Sequence, residues 1–263
     1  MQGERGIGYT FGFAALVCLV CSIAVSAAAL SLEDRQEANR RLDIRRNVLV
    51  AAGLLQPGER ADAAEVDARF AVVGPMVVDR ASGSVLLDVD PETFDPKRER
   101  LDPEGSVVVT DNPAGLMRLP RRVRVYQVCE QGRVDRWVFP VEGKGLWSTL
   151  YGFLALDADG RTIRGLAFYK HGETPGLGGE VDNPRWRSRW EGRQAFDEVG
   201  TVSIEVIKGS AGTVEDDPHR VDGLSGATIT SRGVSELVRF WLGDEGFGPF
   251  LAQAGEEGAV ECL

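Results

Sequence analysis

Residues 6–32 contain no charged side chain, and this limits the chain more than any other feature, because so long an uncharged stretch has few physical homes. From residue 9 to residue 30 the run is mostly apolar, and about 20 such residues in helical form cross a hydrocarbon layer of about 30 Å. A single membrane anchor is therefore expected within residues 1–32. The competing reading is a cleaved secretory signal, since Arg5 precedes the run and Ala27, Ala28 and Ala29 would suit a peptidase. The run exceeds the usual signal core of about 7–15 residues, which favours retention. Cys18 and Cys21 fall on one face of this helix, but two thiolates cannot complete a tetrahedral metal site, and packing is the expected role. With two histidines in the chain, a histidine-rich metal site is excluded.

After the anchor, residues 33–56 read as a membrane-proximal helix that ends near Gly53 and the Pro57-Gly58 turn. Arg35, Arg40, Arg41, Arg45 and Arg46 stand on this side of the anchor and Arg5 on the other, so the positive-inside rule would put the body in the cytoplasm. The basic face suits lipid phosphates or an acidic protein partner; a solvated face explains it equally well. The net charge of −10 argues against nucleic acid, whose binding draws on clustered cations.

Beyond Pro57 short valine-rich runs alternate with turns. Strands are expected over residues 70–73, 76–78, 84–88, 107–110, 123–130, 134–141, 148–156, 163–169 and 202–208, several joined as hairpins at Gln131-Gly132 and at the turn 157–160. No repeated βαβ unit is visible, so the fold class is α+β, a mostly antiparallel sheet with flanking helices. We divide it into a variable region, 57–140, and a second domain, 141–263. Cys129 and Cys262 are far apart in sequence and could be bridged or free.

Two segments carry the chemistry. Asp222-Gly223-Leu224-Ser225-Gly226-Ala227-Thr228 precedes an apolar stripe of Val234, Leu237, Val238, Trp241 and Leu242 at helical spacing. The helix is expected to begin just after Thr228, capped by Thr230 or Ser231. Its unpaired amides and dipole would welcome an anion there, and Arg232 in the first turn makes sense opposite a phosphate, although a solvated surface arginine explains that residue equally well. The second segment, residues 171–179, reads His-Gly-Glu-Thr-Pro-Gly-Leu-Gly-Gly, too glycine-rich for helix or strand, and lets backbone approach a flat ligand closely.

Together with Gly143-Lys144-Gly145-Leu146-Trp147, Tyr151-Gly152, Asn183-Pro184-Arg185-Trp186 and the stretch 36–54, these segments make the chain resemble the C subunit of the sodium-translocating NADH:quinone oxidoreductases of bacterial membranes, a family with a covalent FMN-binding domain. The resemblance runs nearly end to end and is weakest over residues 56–120. It implies FMN held covalently as a phosphodiester on Thr228, left there by an FAD-dependent flavin transferase that reads Asp222 and needs Ser225, Gly226 and Ala227 small. Trp147 and Leu177 are the expected faces of the ring. Glu173 and Thr174 are expected to supply polar contacts, with the amides of Gly176, Leu177 and Gly178 at the pyrimidine edge. His171 and Lys208 are further candidates.

No acid/base constellation stands out, so no catalytic residue is assigned and the flavin reads as an electron carrier. The resemblance further implies membership of a six-subunit redox complex in the bacterial inner membrane, single-pass with the body on the periplasmic side, against the charge rule. Electrons would pass from NADH through an iron–sulfur centre to this FMN, then to a second flavin and quinone, coupled to sodium. The sister complex that serves ferredoxin or NAD carries similar loop and acceptor segments. An anchored scaffold whose threonine stays unmodified is the alternative from another class.

Overall fold

A computed structural model describes residues 6–256 and residue 262. Helix α1 spans Ile7–Ala51 without a break, and it is the one helix among the described residues long and apolar enough to cross a membrane. Its end is built from backbone. Gly53 turns left-handed at φ +71°, Leu54 N–H reaches back to the Leu49 carbonyl, and the Arg136 guanidinium donates to the carbonyl of Ala52. Such a stop satisfies carbonyls that the helix itself leaves unpaired. Residues up to Asp43 form one unit and those from Ile44 onward a second, compact one.

In the compact body α2 spans Ala63–Phe70, and β1, Val73–Asp79, follows it. Helix α3 covers Pro96–Leu101, and the short strands β2, Ser106–Val108, and β3, Arg118–Pro120, pair with each other. The main antiparallel sheet has the order β1-β4-β5-β6-β7, with β4 at Arg122–Glu130, β5 at Arg133–Lys144, β6 at Thr149–Asp157 and β7 at Ile163–Lys170. Chain order and spatial order agree from β4 to β7 because each connection there is a hairpin. The expected α+β class, an apolar N-terminal helix ahead of an antiparallel sheet with flanking helices, is what the chain adopts.

Three expected strands differ from the structure. The expected strand 70–73 is displaced: Phe70 is the last residue of α2, which the reciprocal Asp62/Glu65 cap opens, residues 71 and 72 turn, and Val73 opens β1. The run 84–88 reduces to a bridge between Val85 and Val78. The run 202–208 keeps only β8, Glu205–Val206, which lies parallel to β9, Arg220–Val221.

Alternation along β5 buries both faces of the sheet. Trp137 and Phe139 point toward helices α5, Thr228–Leu242, and α6, Gly248–Glu256, where they meet Phe247 and Phe250 at ring distances of 4.7–5.8 Å. On the opposite face Tyr126 packs between Phe70 of α2 and Phe153 of β6. Residues between β7 and α5 form the short helix α4, Pro184–Arg187, two 3₁₀ turns, the β8–β9 pair and loops.

Helix α5 lies against β5 at backbone distance. A Cβ on Gly233 would stand 2.4 Å from the Lys144 carbonyl oxygen, and one on Gly143 would stand 2.8 Å from the Leu237 Cβ. The indole of Trp241 donates to the Glu142 carbonyl at 2.7 Å and fixes the register of the helix along the strand. Helix propensity alone favours Gly233→Ala by about 1 kcal/mol. Here the new methyl meets backbone that cannot turn away, so the substitution should cost about 1–3 kcal/mol instead. Urea unfolding of the full chain in detergent reads the sign directly.

Candidate flavin site

The acceptor segment meets the first turn of α5 where several loops converge. Ala227 occupies the cap position and makes no side-chain cap bond, and Thr228 is the first helical residue. The expected capping by Thr230 or Ser231 is therefore incorrect. Both are buried inside the first turn and serve other partners: Thr230 donates to Glu173 at 2.6 Å, and the Ser231 hydroxyl accepts from the Leu224 amide at 3.0 Å. The first full-length helical bond runs from Ser231 N–H to the Ala227 carbonyl, so the amides of Thr228, Ile229 and Thr230 have no intrahelical acceptor. Ser225, Gly226 and Thr228 are exposed. An open hydroxyl thus stands at the positive end of a helix.

The segment arrives at this point already shaped. Gly223 N–H donates to the Gly209 carbonyl at 2.8 Å, and a Cβ there would sit 2.2 Å from the Ile207 carbonyl oxygen. Gly226 turns left-handed at φ +70°, with Leu177 so close that an added Cβ would lie 2.9 Å from its Cδ2. The acceptor turn and the glycine loop are therefore in contact, which their separation in sequence did not reveal.

Glu173 holds the glycine loop to its neighbours. Its carboxylate accepts from the amides of Trp147 at 2.9 Å, Leu146 at 3.2 Å and Ser148 at 3.3 Å, and from Thr230 of α5. Glu173, expected as a polar contact to the flavin, is buried, and its carboxylate is engaged by these protein donors. Gly145 and Gly178 must be glycine for this arrangement, since a Cβ on either would come within 2.6 Å of the Glu173 carboxylate or the Thr230 hydroxyl. The Leu177 amide is also engaged, by the Thr174 carbonyl at 3.1 Å, so it is not free for a ligand; those of Gly176 and Gly178 have no hydrogen-bond acceptor among the described residues.

Around Thr228 the surface divides into two kinds. On one side Ile229 follows Thr228 and Leu177 approaches Gly226, while Leu146 and Trp147, the latter 71% exposed, lie on the loop that Glu173 ties to Thr230; these exposed apolar side chains make a collar that the body leaves open. On the other, a cleft of about 810 Å³ runs between α5 and the β8–β9 pair, with Thr228, Arg232, Arg239, Lys208 and Asp222 among its lining residues. Arg239 and Arg220 approach the carboxylate of Glu205, whereas Lys208 and Arg232 have no carboxylate partner among the described residues. His171 stands apart from the collar's chemistry: its Nε2 meets Asp182 at 2.7 Å, and its Nδ1 accepts from the Glu173 amide. Thr174 and Pro175 belong to the same loop, whose tip at Gly176 turns left-handed at φ +77°. No cluster of potential metal ligands occurs among the described residues.

These features fit FMN. An exposed hydroxyl beside helix amides that lack intrahelical acceptors, and an Arg232 with no carboxylate partner among the described residues, suit a phosphodiester, while the open collar offers flat apolar contact next to it.

Glu173 also makes the site sensitive to acid. Burial pushes its carboxyl up, but the Thr230 hydroxyl and the three amides outweigh burial and hold it below the ordinary value of 4.5. A lowered folded value means that the unfolded chain binds the proton more readily, so this contribution is complete above about pH 4.5 and is lost as the pH falls through the folded value. Glu173→Gln should lose about 2 kcal/mol at neutral pH, the scale of hydrogen bonds to a charged group, and show a shallower loss on acidification. Urea midpoints at about pH 7 and about pH 4 check both parts.

Comparison with known proteins agrees with this geometry. The FMN-binding domain family matches residues 145–243, a span that holds Trp147, the glycine loop and Thr228. The C subunit of the Na(+)-translocating NADH-quinone reductase of Yersinia pestis is 46% identical over 99% of this chain and 97% of its own length. That of Pseudomonas aeruginosa is 44% identical over 96% and 97%. Among solved structures, NqrC of Shewanella oneidensis superposes with a TM-score of 0.75 at 37% identity, covering 83% of this chain and 99% of that one. The chain belongs to the NqrC family, the C subunits of the Na(+)-translocating NADH-quinone reductases.

Proposed function

We propose that Thr228 carries FMN as a covalent phosphodiester and that the chain relays electrons within its complex, from an iron–sulfur centre toward a second flavin and quinone. The observation that carries this reading is the exposed Thr228 hydroxyl at the start of α5, between an open apolar collar and two cations that lack carboxylate partners among the described residues. When bound, FMN supplies one- and two-electron redox chemistry. Arg232 and the amides of the first turn would hold the phosphodiester. Trp147 and Leu177 would bear on the ring, with Thr174 and the amides of Gly176 and Gly178 as polar contacts. Lys208 would favour negative charge on the cofactor from the cleft side. Glu173 acts at one remove, by fixing the loop that bears Trp147.

Maturation needs a partner. The Thr228 oxygen forms the ester bond to riboflavin phosphate, the phosphoanhydride of FAD breaks with AMP as leaving group, and the threonine proton passes to the flavin transferase. Ser225, Gly226 and Ala227 keep the approach small, and Asp222 is the residue we assign to recognition by that enzyme. Sodium coupling would belong to the assembled complex.

We further propose that the body lies on the periplasmic side of the inner membrane, as a single-pass protein. Cys129 and Cys262 form a disulfide, which persists in an oxidising compartment and is rare in the cytosol. Two of the arginines that oppose this orientation are engaged within the body: Arg45 pairs with Asp67, and Arg46 donates to the carbonyls of Glu59 and Ala61.

Two experiments test these statements. Thr228→Val, produced with the transferase, should remain folded at a cost of about 0.5 kcal/mol or less, as for an exposed site, but lack the FMN mass and be colourless. Flavin fluorescence that survives denaturing electrophoresis of this variant would refute attachment at Thr228, and wild-type protein that never gains the FMN mass would favour an unmodified scaffold. For orientation, Cys129→Ser should leave Cys262 open to a membrane-impermeant maleimide in intact spheroplasts. Labelling only after lysis would put the body in the cytoplasm.

A further inference from the structure

The stretch Asn183-Pro184-Arg185-Trp186 touches neither the collar nor Thr228, yet it reaches the acceptor segment. Asn183 accepts from the Arg185 amide and Pro184 opens α4, so the turn is capped and its first φ is preset for the helix. It presents Trp186, 7% exposed, edge-on to the fully buried ring of Trp190 at 5.7 Å. The indole N–H of Trp186 then donates to the Asp222 backbone carbonyl at 2.8 Å. From the other side the Asp222 carboxylate accepts from the Ala211 amide at 2.7 Å and the Ser210 hydroxyl at 3.3 Å, with Arg189 at 3.5 Å.

We propose that Trp186 is a positioning residue for the flavin, acting through Asp222; this rests on the covalent attachment at Thr228. The glycine loop and the acceptor segment form two walls of the seat and belong to stretches far apart in sequence. Loop 171–179 continues through the 3₁₀ turn Gly178–Asp182 directly into α4, so the indole bond ties the end of one wall to the start of the other. A phosphodiester alone cannot fix the ring, because the ribityl chain between phosphate and ring has several free torsions. The spacing of the walls decides how closely the ring is held, and the indole bond sets that spacing. Gly223 pressed on Ile207 and the Leu224 amide on Ser231 carry the constraint onward to Thr228.

Trp186→Phe removes the N–H and keeps an aromatic ring against Trp190. In the full chain produced with the transferase, anisotropy and potential are read on the FMN-loaded fraction, since loosening Asp222 also touches the residue assigned to transferase recognition. The steady-state anisotropy of the flavin should fall, and its midpoint potential should move toward that of free FMN. The double variant Arg189→Gln, Ser210→Ala loosens only the carboxylate side, at exposed positions, and should shift both readouts in the same direction by less. Should Trp186→Phe fail to fold, the double variant decides by the same readouts. Anisotropy and potential at wild-type values in the folded variants would overturn the positioning role, whereas wild-type protein without bound FMN would instead sink the attachment on which it rests.

Discussion

The contact on which the rest depends is the approach of α5 to β5. Gly233 sits over the Lys144 carbonyl and Gly143 under Leu237, so helix and strand pack at backbone distance instead of through side chains. The apolar stripe of α5 supplies the driving force, with Val234, Leu237 and Val238 fully buried and Trp241 nearly so. The glycines determine where the helix stops along the strand, and Trp241 locks that position with its indole bond to Glu142. Because β5 ends at Lys144, the start of α5 is brought to the loop that follows the strand. Thr228 and Trp147 are brought to the same end of the sheet for this reason.

Glu173 converts that proximity into a defined surface. A buried carboxylate is costly unless its lone pairs find donors, and here four donors from two separate segments converge on it. The cost of leaving any one unpaired makes the arrangement all-or-none, so the loop bearing Trp147, the glycine loop and the first turn of α5 hold or fail together. The collar is consequently rigid although its apolar side chains face solvent. Exposed tryptophan on a fixed loop is unusual in a body that buries its other tryptophans so completely, and it marks a surface kept open for a ligand or partner.

Much of this was legible in the chain. Alternation from residue 123 to 169 pointed to the central hairpins because each strand there is bounded by a turn with glycine, and the stripe of α5 pointed to the helix that carries the site. The Asp62/Glu65 capping box is also present in the sequence and marks α2, a helix that valine-rich patterning beyond Phe70 does not indicate. Other features were not readable. Glycines 143, 145, 178 and 233 look like loop or breaker residues until the groups they face are known, side chains for the first three and the Lys144 carbonyl for Gly233. Glu173 looked like a ligand contact because its four donors come from residues 146–148 and 230, and no local pattern joins positions so far apart. For the same reason the Cys129–Cys262 pairing and the reach of Trp186 to Asp222 belong to the tertiary structure alone.

An open collar also bears on why a flavin here would need a covalent bond. Non-covalent sites for such cofactors are concave and bury most of the ligand, which offsets the entropy lost on binding. The collar of Leu146, Trp147, Leu177 and Ile229 faces solvent, so contact with one face of a ring would leave the other uncovered. Deepening the pocket would raise affinity but would also bury the ring edge, and electron exchange with another protein requires that edge to approach a second cofactor closely. On the proposed attachment, the ester at Thr228 separates the two demands: retention rests on a bond, while the ring stays at the surface. The helix amides and Arg232 then stabilise the phosphodiester charge without enclosing the part that reacts. A site with this exposure and no tether would lose its cofactor on dilution, so the open geometry supports the proposed covalent attachment.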